Sequence, residues 1–131
     1  MAFRNHTDAD MYFIGGIWYD NELVGVIGLH YLDLVNKCMS IGYYLAQHFQ
    51  KKGIMTVRAK VLIQYVFEEF DINRVEIRVA TRNPKSRAIP ERLGFTQEGV
   101  LRSDERLRGE FSDSYVYSLL RDEYEAVKNQ W

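Results

Sequence analysis

At Ile54 the apolar residues change their spacing, and that change limits the folds open to this chain. Before it, residues 22–32 (ELVGVIGLHYL) are rich in β-branched and aromatic side chains, as a strand requires. Residues 11–19, with two adjacent glycines, and residues 39–45 read the same way. Asp20-Asn21 and Asn36-Lys37 mark the turns between them. From Ile54 onward, Ile54, Val57, Val61, Leu62, Tyr65 and Val66 recur at spacings of three and four. Lys60, Gln64 and Glu68 fall elsewhere on the wheel, so an amphipathic helix is expected over residues 54–70. Asp71 to Asn73 form its exit turn, and RVEIRVA (74–80) then alternates like a half-exposed strand.

The next stretch, NPKSRAIPERLG, carries its own punctuation. Asn83 suits a helix N-cap, Pro84 the first helical position and Gly94 the stop. Pro90 lies inside this helix and has no N–H for the carbonyl of Ser86, so either the helix kinks or that carbonyl needs another partner. Residues 95–102 and 114–120 read as two more strands, separated by the charged run SDERLRGEFSD. The 131 residues fit one domain. Its expected class is α+β, a mixed, mostly antiparallel sheet carrying two helices.

Composition removes several functional classes. A formal net charge of -1 lacks the basic surface of a nucleic-acid binder. No apolar run reaches the roughly 18 residues of a membrane span, and MAFRNHTDADMYF has no signal-peptide core. The single cysteine, Cys38, cannot form an internal disulfide, which makes a reducing, cytoplasmic setting the expectation. His6, His30 and His48 lack metal-ligand spacing, and no metal is expected.

QKKGIMT, between the third strand and the long helix, is the first candidate site. A helix N-terminus offers unpaired backbone N–H groups and partial positive charge, so it attracts anions. Gly53 permits a tight turn there, and Lys51 and Lys52 add charge. Neither GxxxxGK[ST] nor GxGxxG is present. On these residues alone, the stretch is either a phosphate cradle or a loop glycine ahead of a helix. Gly42, inside the third strand, points to a bulge or a close backbone approach, or is a matter of packing.

The wider arrangement resembles the GNAT superfamily of N-acetyltransferases, in its RimL/RimJ-like branch of ribosomal-protein N-terminal acetyltransferases. IGYYLAQHFQKKGIMT, NRVEIRVATRNPKSRAIPERLGF, EGVLR and VYSLLRDEYE carry the likeness, which runs from about Met11 onward. The resemblance implies that acetyl-CoA lies where the third and fourth strands splay apart, with a bulge at Gly42 helping to open the sheet. Backbone groups of Tyr43, Tyr44 and Leu45 would bind the pantetheine arm. The pyrophosphate would rest on the stretch Gln50, Lys51, Lys52, Gly53, Ile54, Met55 and Thr56, Met55 standing where the family often has Gly or Ala. Asn83 would hold the pantetheine, and Arg87 would reach the phosphates.

Acetyl transfer to an amine needs a neutral amine, a polarised carbonyl and a proton for the departing thiolate. By the same resemblance, the Ser86 hydroxyl would supply that proton; otherwise it is a first-turn serine satisfying local amides. A backbone amide of Tyr43 or Tyr44 would face the thioester oxygen. The branch usually carries an acid just before its I-G-Y segment, and here that position is Ser40. Near pH 7 an α-amine of pKa about 8 is roughly 10% neutral, a lysine only about 0.04%. A protein N-terminus is therefore the expected acceptor, with a small-molecule amine as the second. A CoA-binding module without turnover is a third reading. Glu76 and His30 are substitute bases to set against a solvent-facing charge and a satisfied strand histidine. Tyr115, Tyr117 and Leu119 read as sheet packing.

The strand and helices that open domains of this family have no counterpart before Met11. That implies a shortened piece, a natural truncation, or a wall supplied by a partner chain. An exposed first strand would also permit a homodimer.

Overall fold

The computed structural model describes residues 13–45 and 53–131. Six strands form one sheet: β1 (Phe13–Tyr19), β2 (Glu22–Asp33), β3 (Cys38–Leu45), β4 (Arg74–Ala80), β5 (Thr96–Leu107) and β6 (Glu110–Leu120). Their order across the sheet is β1-β2-β3-β4-β6-β5. Every neighbouring pair is antiparallel except β3 with β4. Parallel neighbours need a long crossover, and helix α1 (Ile54–Glu69) provides it.

The turns follow from residues that tolerate positive φ. Asp20 and Asn21 (φ 50 and 64) close a two-residue hairpin in which Tyr19 faces Glu22. After β2, the Asp33 carboxylate accepts from the N–H groups of Val35 and Asn36 and so shapes the next turn. The charged run expected to separate the last two strands is itself a hairpin. β5 continues to Leu107, Arg108 and Gly109 (φ 51 and 81) make the turn, and β6 begins at Glu110.

One sheet face is apolar and meets the helices. Val75, Ile77 and Val79 of β4 are buried with Met39 and Ile41 of β3 and Tyr117 and Leu119 of β6. Against them α1 buries Met55, Ala59, Leu62, Ile63, Val66 and Phe67. Val57, Val61 and Tyr65, expected on the apolar face, are instead exposed. Leu62 and Val66 of the same expected set are buried and Ile54 packs on the core, so the spacing rule selects a stripe that only half overlaps the core face.

Helix α2 (Pro84–Arg92) matches its signals, and Gly94 ends it at φ 87. A third helix, α3 (Arg121–Val127), was not expected; a short 3-10 turn, Lys128–Gln130, follows it. At seven residues it is too short to show a period. Glu123 accepts from the Leu120 N–H at its start. Tyr124, 1% exposed, stacks on Phe67 with ring centroids 4.7 Å apart, and its hydroxyl donates to Glu68. Among the described residues no helix is long and apolar enough to cross a membrane.

Candidate active site

β3 and β4 pair over only four positions, from Cys38 opposite Arg74 to Ile41 opposite Ile77. Beyond them the strands part company. β3 stays paired with β2 as far as Leu45, and β4 with β6 as far as Ala80. Among the described residues, the β4-facing backbone edge of residues 42–45, which includes Tyr43, Tyr44 and Leu45, therefore has no ladder partner on that side. This is the splayed pair that the resemblance implies.

The bulge expected at Gly42 is absent, since Gly42 sits in regular register opposite Gly28. The irregularity lies one strand over, where Leu29 faces Ile41 and Tyr31 faces Ser40, leaving His30 as the extra residue. A bulge bends its strand and increases local twist. This one stands beside the last β3–β4 pair, where a twist helps the strands separate.

The N-terminus of α1 follows the end of β3 in sequence. Gly53 is its N-cap at φ 72, and the Gly53 carbonyl accepts from the Val57 N–H at 3.2 Å. A Cβ at Gly53 would have nothing within 4 Å, so glycine is required by the backbone angle rather than by crowding. No acidic residue occupies the first turn. The N–H groups of Ile54, Met55 and Thr56 fall among those a helix start leaves without intrahelical partners. Thr56 Oγ1 is buried with no hydrogen-bond partner among the described residues. A phosphate group placed there would answer both deficits, so the residues present fit the pyrophosphate of a CoA. The Met55 side chain is in the core, 3% exposed, which leaves its backbone for a ligand. Gln50, Lys51 and Lys52 lie outside the described residues.

Across the gap stands the first turn of α2. The Asn83 side chain accepts from the Ser86 N–H at 3.1 Å. The Ser86 carbonyl, which Pro90 cannot serve, accepts instead from the Tyr43 hydroxyl at 3.0 Å. Tyr43 is 8% exposed, and burial pushes its phenol far above the ordinary range, so it stays protonated and donates. Ser86 is half-buried. The next residue, Arg87, faces β6: its Nε donates to the Tyr117 hydroxyl at 3.0 Å and lies 3.3 Å from Glu91. Its guanidinium sits 4.4 Å from the Tyr115 ring centroid. Arg87 would have to leave these partners to meet a phosphate. Tyr115 and Tyr117, read as plain packing, hold this arginine.

The other sheet face is polar at the same level. Ser40 lies between Tyr31 of β2 and Glu76 of β4. Glu76 is not the solvent-facing charge expected for a strand residue. Its side chain is 13% exposed, and its two oxygens accept from Arg74 Nη2 at 2.9 Å and Arg78 Nε at 2.8 Å. Arg74 also makes a two-pronged contact with Glu98, holding that carboxyl below the usual range, while Arg78 reaches Asp104 at 3.5 Å. The alternation R-x-E-x-R could have revealed the first three members of this ladder. Glu98 and Asp104 come from distant β5 and left no local signal. His30 stands at the β2 bulge, and the Cys38 thiol is raised chiefly by burial. Among the described residues no cluster of His, Cys, Asp or Glu could hold a metal ion.

Comparison with known proteins bears on this geometry. Residues 2–96 match the model of the acetyltransferase (GNAT) domain. The chain is 48% identical over 113 residues to a putative ribosomal N-acetyltransferase, YdaF, of Bacillus subtilis (strain 168), covering 86% of this chain and 62% of that protein. Among solved structures, it resembles the microcin C7 self-immunity acetyltransferase MccE in complex with acetyl-CoA and AMP. There the TM-score is 0.75 at 39% identity, covering 82% of this chain and 59% of that one. The ribosomal L7/L12 α-N-protein acetyltransferase RimL, in complex with CoA, gives a TM-score of 0.72 at 33% identity, covering 79% and 58%. The chain thus spans less than two thirds of the length of each.

Proposed function

The chain belongs to the acetyltransferase (GNAT) domain family, and on that premise we propose that it binds acetyl-CoA between β3 and β4 and acetylates a primary amine. The observation that carries this is the loss of β3–β4 pairing after Ile41 and Ile77, next in sequence to a helix start led by Gly53. Acetyl-CoA, when bound, supplies an acetyl group already activated as a thioester. The remaining work is positioning. Backbone groups of Tyr43, Tyr44 and Leu45 bind the pantetheine arm, and an amide of Tyr43 or Tyr44 polarises the thioester carbonyl. The α1 amides from Gly53 to Thr56 receive the pyrophosphate, aided by Gln50, Lys51 and Lys52. Asn83 contributes to the pantetheine contacts, and the Ser86 hydroxyl returns a proton to the leaving thiolate.

The acceptor is a protein α-amine. Ser40 is no base, and the carboxylate beside it, Glu76, already accepts from two guanidinium groups. An acceptor that is partly neutral at pH 7 suits such a site, and a lysine or polyamine does not. The name of RimL, an α-N-protein acetyltransferase, points the same way, and that of YdaF to a ribosomal acceptor. A homodimer across β1, the outermost of the described strands, is compatible with this arrangement.

Calorimetry with acetyl-CoA tests the cofactor half, with a truncated CoA lacking the pyrophosphate as control. Binding that depends on the pyrophosphate supports it, and no binding overturns it. Thiol release with peptides bearing free α-amines, against α-acetylated peptides carrying lysine and against spermidine, tests the acceptor. Turnover restricted to free α-amines is the expected result; preference for spermidine overturns it. Binding without turnover on any amine would favour the CoA-binding module, the reading that Ser40 supports.

A further inference from the structure

The gap between β3 and β4 divides the sheet into β1-β2-β3 on one side and β4-β6-β5 on the other. Past Ile41, the first turn of α2 bridges the two. On the β3 side, the Tyr43 hydroxyl donates to the Ser86 carbonyl at 3.0 Å. On the far side, adjacent Arg87 is fixed to Tyr117 and Tyr115 of β6. Consecutive residues of one turn are thus tied to opposite banks. The tie exists because Pro90 leaves the Ser86 carbonyl without its helical donor. An alanine at position 90 would satisfy that carbonyl within the helix and remove the need for a hydroxyl from β3.

We infer that the Tyr43 side chain is a positioning residue, a strut that fixes the distance between β3 and the Asn83–Ser86 turn so that both grip one pantetheine arm. This rests on the acetyl-CoA reading above and is separate from the role given to the Tyr43 backbone amide. If the hydroxyl served only to satisfy a helical carbonyl, repairing the helix would make it dispensable. If it sets the gap, repair would not restore binding.

The experiment is a double-mutant cycle of Tyr43→Phe and Pro90→Ala, read by thermal midpoint, acetyl-CoA dissociation constant, and the split between KM for acetyl-CoA and kcat. Tyr43→Phe alone is expected to lower the midpoint, because a carbonyl loses its partner. It should also weaken acetyl-CoA about tenfold, because binding must then order the turn that the hydroxyl had held in place. With Pro90→Ala present, Tyr43→Phe should cost less stability, since the helix now supplies a donor, while acetyl-CoA stays about tenfold weaker. The combined variant also serves if Tyr43→Phe alone fails to fold. Recovery of binding together with stability would reduce the hydroxyl to a helix cap and overturn the strut. So would Tyr43→Phe that binds acetyl-CoA as wild type does. Wild-type protein that does not bind acetyl-CoA overturns the cofactor reading itself, and the strut with it, a result distinct from either of these.

Discussion

Gly53 has open space where a Cβ would stand, so a substitution there acts through the backbone alone. At φ 72 a β-branched residue is strained by the chain itself. Gly53→Val is therefore expected to turn the α1 amides away and cut acetyl-CoA affinity by tenfold or more, about 1–2 kcal/mol of conformational cost. Calorimetry would show it, and unchanged affinity would remove the loop from the site. Ser86→Ala should behave differently. Its N–H to Asn83 and its carbonyl to Tyr43 are backbone contacts and survive the change. Binding should hold while kcat falls about a hundredfold, as when a general acid is lost. An unaltered kcat removes the acid role. The loop glycine and the α2 caps were legible in the sequence because each is a single residue type with a local conformational duty. The Tyr43–Ser86 bond was half legible: Pro90 announced a carbonyl in need, but its donor lies 43 positions away.

Elements were legible where their period had room to appear. Strand β4 has the expected bounds, and α1 ends within a residue of its expected stop. The side of α1 that faces the sheet was legible only in part: Leu62 and Val66 are buried as expected, but Val57, Val61 and Tyr65 satisfy the same spacing and are exposed. Mutation separates the two faces. Ile63→Ala should cost about 3 kcal/mol by opening a cavity, whereas Val61→Lys, on the exposed side, should stay within about 0.5 kcal/mol. Chemical denaturation measures both, and a large loss at Val61 would mean that face is covered in solution. Helix α3 escaped the sequence because its anchor is tertiary: Tyr124 against Phe67, and Arg121 donating to the carbonyls of Phe70 and Ile72. The last hairpin was missed for a simpler reason. Its charged residues form a solvated strand pair, and only the positive φ of Arg108 and Gly109 reveals the turn.

At the scale of the whole fold, pH acts on the described residues through a few shifted groups. Burial pushes the Tyr124 hydroxyl up to about 12, its bond to Glu68 adding to the effect, and Tyr43 goes higher still. Both are raised above the unfolded value near 10. Their contribution is therefore complete below about pH 10 and is lost as pH rises through the folded values. Glu98 is depressed by Arg74, so its contribution is present above the ordinary glutamate value of about 4.3 and is lost as pH falls through its own lower one. A thermal-midpoint profile should fall on both sides, the alkaline fall being opened by the Cys38 thiol, which burial raises above its unfolded value of about 8.5. Tyr124→Phe should blunt the alkaline fall, and an alkaline limb unchanged by that substitution would contradict the assignment.

Along the sheet itself the two banks are joined by four residue pairs, while the helices and a shared core hold them together on one face. The molecule thus resembles a book glued along its back and open at the page edge. A ligand lying between the covers, bonded to the free edge of β3, takes the place of the missing ladder. Filling that space adds a second set of contacts, along the strand edges, to halves that already share one core. Saturation would then show as a higher midpoint, a change in how the whole sheet comes apart rather than in one pocket's fit.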